Sequence, residues 1–186
     1  MQKYRGLLIC GLLVFLTITQ KAQAGLLLEP YLGYVSGKQT SGSASANFTG
    51  TELGARVGYS TFNFSLGADY ITAKYTDDSS SKNDLTMSDL GVFASYKFPI
   101  LLRVFATYVP SSQLKGSAQN ILDYTYKGNT TRLGVGFTGF PIININLEYI
   151  TATYKDLEVL GQTTSLSSSV TTSAYALSIS APFDLF

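Results

Sequence analysis

The segment DYITAKYTDD, from Asp69, returns 79 residues later as EYITATYKDL, from Glu148. The echo extends upstream, face for face. From Phe62, Phe64, Leu66, Ala68 and Tyr70 lie on one side and Asn63, Ser65, Gly67 and Asp69 on the other. Before Tyr149, Ile143, Ile145 and Leu147 oppose Asn144, Asn146 and Glu148. A third segment sets Leu102, Val104, Ala106 and Tyr108 against Arg103, Phe105 and Thr107. Each is preceded by a second alternating run: LGARVGY from Leu53, LGVFASY from Leu90 and LGVGFTG from Leu133. Period-two alternation is the pattern of strands, so the repeating unit is a hairpin. Three hairpins, over 46–77, 85–112 and 125–157, with a strand at 26–37 before them and one at 170–186 after, predict an all-β chain of eight antiparallel strands.

What the two faces carry decides the solvent. A soluble barrel or sandwich turns its bulky aliphatic face inward. Here the polar face holds Gly54, Gly58, Gly67, Gly91, Gly134 and Gly136 beside Glu29, Glu52, Arg56, Asp69, Asp89, Lys97, Arg103, Arg132 and Glu148. Small residues mixed with balanced charge suit a narrow lumen, and the unbroken aliphatic face suits lipid. The apolar stripes end in aromatics: Tyr70, Tyr108 and Tyr149 at one end, and Tyr59, Phe62, Tyr96, Phe98 and Phe140 at the other. That is the placement of two interfacial girdles.

The connections alternate in the same sense. Those near residues 60, 99 and 140 are tight, and two contain proline. Four others (SGKQTSGSASA, TDDSSSKND, SSQLKGSAQNILD and KDLEVLGQTTSLSSS) read as long, mobile, polar loops. Short turns on one side and long loops on the other predict an up-and-down transmembrane β-barrel.

The N-terminus sets the compartment. Lys3 and Arg5, a run from Leu7 to Ile18, and Ala22-Gln23-Ala24 follow the order of a cleaved signal peptide, residues 1–24. The run is too short to span a ~30 Å hydrocarbon core as a helix. Removing it leaves 25–186 as one barrel domain. It takes away Cys10 and three of 13 basic residues, so 10 basic face 12 acidic, a net charge of −2 that suggests no nucleic-acid partner. The chain has no His, which excludes Ser-His and Cys-His nucleophile schemes and imidazole-rich metal sites. Asp77, Asp78 and Asp84 lack EF-hand spacing, and the sequon-like NFT at Asn47 and NTT at Asn129 carry no weight.

Strand number, loop alternation, girdles and signal peptide together make the mature chain resemble the small eight-stranded outer-membrane β-barrels of Gram-negative bacteria, the OmpA-transmembrane-domain and OmpX-like group. The resemblance implies an outer-membrane location, surrounding outer-membrane lipid and a barrel-assembly machinery as partners, and no cofactor. Members often end with Phe in the outward apolar series. Here that series is Tyr175, Leu177, Ile179, Ala181, Phe183 and Leu185, so Phe186 falls on the other face unless Pro182 kinks the register.

Function then divides three ways. The leading expectation is a non-enzymatic barrel with a structural or surface-interaction role, its lumen plugged by ion pairs. A turn centred near Phe140 would set Arg132 opposite Glu148, as a plug or as a gate. The second is a narrow, OmpW-like channel for small or apolar solutes. The third is a soluble secreted β-barrel. The LEVLG patch near Leu160 is placed either folded over the barrel mouth or against a surface partner, which the sequence does not name.

Overall fold

Eight long antiparallel strands close on themselves in the computed structural model, which describes residues 25–77, 84–117 and 124–185. The signal peptide expected at 1–24 lies outside the described residues. The strands are β1 Gly25–Ser41, β2 Ala44–Thr61, β3 Phe64–Asp77, β4 Asp84–Lys97, β5 Leu102–Ser117, β6 Tyr124–Phe137, β7 Asn144–Val159 and β8 Gln162–Ser180, followed by a short β9 at Phe183–Leu185. Each of the eight long strands pairs with the next, and β1 pairs with both β2 and β8, so the eight-stranded wall is closed, with β9 paired to β1.

The register can be followed around the wall. Leu27 faces Gly58, then Gly67, Phe93, Thr107, Arg132, Ile150 and Ala174, and the path returns to β1 at Gly37, ten residues above its start. Eight strands with that stagger tilt by roughly 40° and enclose a cylinder of about 8 Å backbone radius. Side chains can fill such an interior, and side chains from opposite walls can meet.

The two faces exchange chemistry partway up. In the lower part, leucines, valines and isoleucines point outward, as with Leu32 at 61 % exposure, while charged groups point inward. The outward apolar series ends at a ring comprising Tyr34, Tyr70, Tyr108, Tyr149 and Tyr175, all exposed. Beyond it the strands continue with the opposite pattern. The interior becomes apolar, with Val35, Phe48, Ile71, Tyr75, Met87, Leu114, Tyr154 and Val170 in one buried cluster. Outward positions become Ser, Thr, Asn and Lys, such as Ser36, Lys38, Thr72, Lys74, Thr151 and Ser173. The lower part is a barrel for lipid and the upper part is a barrel for water, built from the same strands. On β1, Leu26 to Tyr34 is eight steps, or roughly 20 Å along the axis at this tilt.

This corrects the reading of long polar loops. SGKQTSGSASA is the top of a β1–β2 hairpin with a turn at Gly42 and Ser43, Gly42 having φ +58°. KDLEVLGQTTSLSSS is a β7–β8 hairpin turning at Leu160 and Gly161, with φ +52° and +79°. Leu160 stands exposed at the tip and does not fold over the mouth. Strands β3, β4, β5 and β6 likewise run to the edges of 78–83 and 118–123, which lie outside the described residues and include Asp78. Asp77 ends β3 and Asp84 opens β4. Serines and threonines on a water-facing wall have loop composition, and the inward residues between them supply the period.

Two smaller corrections and the course of the last strand follow from the register. Phe62 sits in the β2–β3 turn at φ +54° and not on the strand, although it is exposed with the lower girdle. Glu148 faces Gly134 and Arg132 faces Ile150, because six residues separate β6 from β7 where a tighter turn was expected. The pairing of the last strand does not change at Pro182. Tyr31 faces Ser180 and Leu28 faces Phe183, one continuous register, and Ala181 N donates to Pro30 O at 3.0 Å. Phe183 and Leu185 therefore keep the outward face, and Phe186 lies outside the described residues.

Candidate functional site

Inward-facing charges occupy the lumen between the girdles. They come from seven strands: Glu29 on β1, Glu52 and Arg56 on β2, Asp69 on β3, Asp89 on β4, Arg103 on β5, Arg132 on β6 and Glu148 on β7. All are buried, Arg56 at 1 % and Arg132 at 0 % exposure. Lys97 has the same inward parity but ends β4 at the lower rim and is exposed, so it stands outside this cluster. Tyr59, Phe62, Tyr70, Tyr96, Phe98, Tyr108, Phe140 and Tyr149 are all exposed on the outer wall or in the lower turns.

The charges form one alternating chain across the barrel. Arg103 donates from Nη1 to Glu29 Oε2 at 2.8 Å. Glu29 Oε1 lies 3.6 Å from Arg56 Nη1. Arg56 continues to Glu148 through Nη2 at 3.2 Å and to Asp69 through Nε at 3.2 Å. Glu148 accepts from Arg132 Nε at 2.8 Å, and Arg132 Nη2 donates to Glu52 Oε1 at 2.7 Å. The diagonal from Arg132 to Glu148 thus makes the contact that direct opposition would have made. Each guanidinium bridges strands far apart in the wall, so their planar forks fill the cross-section and not only line it.

Neutral groups complete the chain. Asp69 also accepts from Tyr31 Oη at 2.9 Å and Thr107 Oγ1 at 2.8 Å. Asn146 accepts from Arg103 Nη2 at 2.9 Å and donates to Ser178 and Ser180. Arg56 is held between two rings, 4.6 Å from the Tyr31 centroid and 4.4 Å from that of Phe105. Those rings need two of the lumen glycines. A Cβ on Gly54 would overlap Tyr31, and one on Gly134 would overlap Phe105. Composition did not single out Tyr31, Thr107, Asn146 or Ser178, although all share the inward parity of the charges beside them.

Asp89 stands apart from the arginine chain. It accepts from Ser112 Oγ at 2.6 Å and from the Gln113 backbone N–H at 3.0 Å. The β5 ladder is interrupted between Val109 and Ser112, where Pro110 and Ser111 form a bulge. The carboxylate supplies the partner that the broken ladder cannot. Above it the apolar interior leaves about 20 Å³ free among Val35, Phe48, Tyr75, Met87, Leu114 and Tyr154, room for about one water molecule. Burial pushes the Tyr154 phenol up to about 12 and that of Tyr75 well above its ordinary value. Among the described residues, no three metal-ligating side chains converge. Glu52 Oε2, Arg132 Nη1 and Thr130 Oγ1 are buried without a protein hydrogen-bond partner.

Two solved structures align over nearly their whole length. Neisserial surface protein A matches 87 % of this chain and 99 % of its own, with TM-score 0.59 and 15 % identity. The attachment invasion locus protein Ail of Yersinia pestis matches 86 % of this chain and 99 % of its own, with TM-score 0.59 and 13 % identity. No family model matches the sequence, and no curated protein matches it. At these identities the likeness is one of architecture. Strand count, closure, girdles and neighbours agree that the chain has the fold of the small eight-stranded outer-membrane β-barrels.

Proposed function

We propose that this chain is a non-enzymatic integral outer-membrane protein, exported by its N-terminal signal and inserted by the barrel-assembly machinery. Its role is to hold a rigid β extension above the outer leaflet, in envelope structure or in contact with a surface partner. Its lumen does not conduct. The observation that carries this reading is the stacking of two different fillings. An ion-paired layer joins opposite walls, and a packed apolar layer lies directly above it. A solute would have to break several buried ion pairs and then cross an interior with room for about one water.

Recording from the refolded barrel in planar bilayers tests this, with heat-dependent gel mobility as the check of folding. No stepwise conductance is expected. Reproducible unitary steps from the folded form would replace this reading with a narrow channel for small or apolar solutes. A chain that stays monodisperse without detergent would mean that the aliphatic wall is not facing lipid at all.

A further inference from the structure

The outer wall of β5, β6 and β7, with the flanking parts of β3, β4 and β8, presents four chemistries in a fixed vertical order. Lowest is an apolar groove of about 550 Å³ on the lipid face, bordered by Phe64, Ala94, Ala106, Leu133, Leu147 and Tyr149. The facing pair Ala94 and Ala106 makes the depression, since larger neighbours stand on both sides. At its top lie the rings of Tyr149 and Tyr175, 5.2 Å apart. Next come hydroxyl and amide side chains pointing outward: Thr131, Asn129, Thr151 and Thr153. Highest are Lys115, Lys127 and Lys155.

Between girdle and lysines, no outward residue on these three strands is charged. Asp156 faces Lys127 across the β6–β7 ladder and accepts from Ser165, and Glu158 pairs with Lys127, so both acids stand within the lysine tier with their own partners. Lys115 and Lys155 are exposed and make no ion pair among the described residues. The distance from tyrosines to lysines is five to seven strand residues, or roughly 12–17 Å along the axis at this tilt. That exceeds the depth of a simple phospholipid headgroup. It suits a headgroup of stacked sugar rings whose anionic groups lie on the outer side.

From this order we infer that the β5–β7 wall binds an anionic glycolipid of the outer leaflet. One acyl chain lies in the Ala94–Ala106 groove, the sugars lie against the Thr/Asn band, and the anionic groups meet Lys115, Lys127 and Lys155. This rests on the membrane-spanning reading proposed above. Lysines near a charged membrane surface each strengthen binding by about fivefold at low salt. The contribution weakens as ionic strength rises.

The experiment is native mass spectrometry of the refolded mature chain, with rough lipopolysaccharide carrying a phosphorylated inner core as the probe. Phosphatidylglycerol serves as an anionic lipid without sugars. Wild type should retain the glycolipid in preference to phosphatidylglycerol, and added salt should reduce retention. Replacing Lys115, Lys127 and Lys155 by Gln should lower retention at least tenfold. Lys38→Gln with Lys74→Gln, on the opposite wall, should not. Ala106→Phe, which fills the groove, should weaken both lipids while leaving the heat-dependent mobility shift intact. Equal loss in the Lys38/Lys74 variant would overturn the site in favour of diffuse charge attraction, and equal retention of phosphatidylglycerol would overturn the sugar assignment. A folded, detergent-dependent barrel that retains no glycolipid sinks this inference alone. A chain that needs no detergent sinks the membrane reading beneath it.

Discussion

Arg103 on β5 and Glu29 on β1 stand on opposite walls of the barrel and meet across its full width, Nη1 to Oε2 at 2.8 Å. Arg132 on β6 and Glu52 on β2 repeat the relationship higher up. Each pair ties together two strands that no hydrogen-bond ladder joins directly. Glu29→Ala should leave Arg103 buried without its main partner and destabilise the barrel by about 3–5 kcal/mol. Replacing both by Leu and Met should recover most of that loss. Urea unfolding followed by heat-dependent gel mobility separates the two. Equal cost in the single and double variants would contradict the account.

The seats of the two rings around Arg56 should be as sensitive as the charges. Gly134→Val places a side chain where the Phe105 ring lies, so the ring must leave its stack on Arg56. Overpacking of this kind costs about 1–3 kcal/mol. Combining Gly134→Val with Phe105→Ala should return part of the loss, whereas either change alone should not. A double-mutant cycle on unfolding midpoints reads the coupling.

The water-facing extension has a core of its own, so it should loosen separately from the membrane part. Met87→Ala removes a buried side chain that accepts from Tyr75 Oη at 3.8 Å. The loss of about 2–5 kcal/mol should fall on the upper hairpins. Limited proteolysis of the refolded protein is expected to nick the region above the tyrosine ring faster, while the lower barrel keeps its heat-dependent mobility. Uniform weakening of both regions would mean that they are one cooperative unit.

Alkali should act on the same core. A phenol pushed up to about 12 in the folded protein, against an ordinary value of 10.0, is bound as the neutral form. Between those values the unfolded chain loses protons that the folded chain keeps, so the stability due to Tyr154 falls as pH rises from about 10 to 12. Tyrosinate absorbance should show Tyr154 ionising together with a rise in amide exchange at Val35 and Ala174. Tyr154→Phe should move that rise to higher pH.

Much of this was legible in the chain before the fold was known. Strand number, the lumen charges and both aromatic rings come from side-chain parity, which any local window displays. The upper wall was not legible, because a strand whose water-facing residues are Ser, Thr and Gly has the composition of a loop. Only the sparse inward series Val35, Phe48, Tyr75, Leu85, Leu114 and Tyr154 marks it as strand. Cross-lumen partners were hidden for another reason. Which residues of two opposite walls stand at the same height depends on the ten-residue stagger of the closed sheet, a global quantity that no hairpin contains. Lys97 shows the limit of parity: it predicts the face correctly and is silent about height, which places this residue on the rim.

The exchange of faces at the tyrosine ring also fixes how deep the molecule sits. Sliding it inward would carry Ser36, Lys38 and Lys74 into hydrocarbon; sliding it outward would lift Leu32, Leu53 and Leu177 into water. Both displacements raise the free energy, the first by desolvating polar groups and the second by hydrating apolar ones. The wall therefore acts as a two-sided spring along the membrane normal, and the barrel needs no separate anchor to keep its outer storey at a constant elevation.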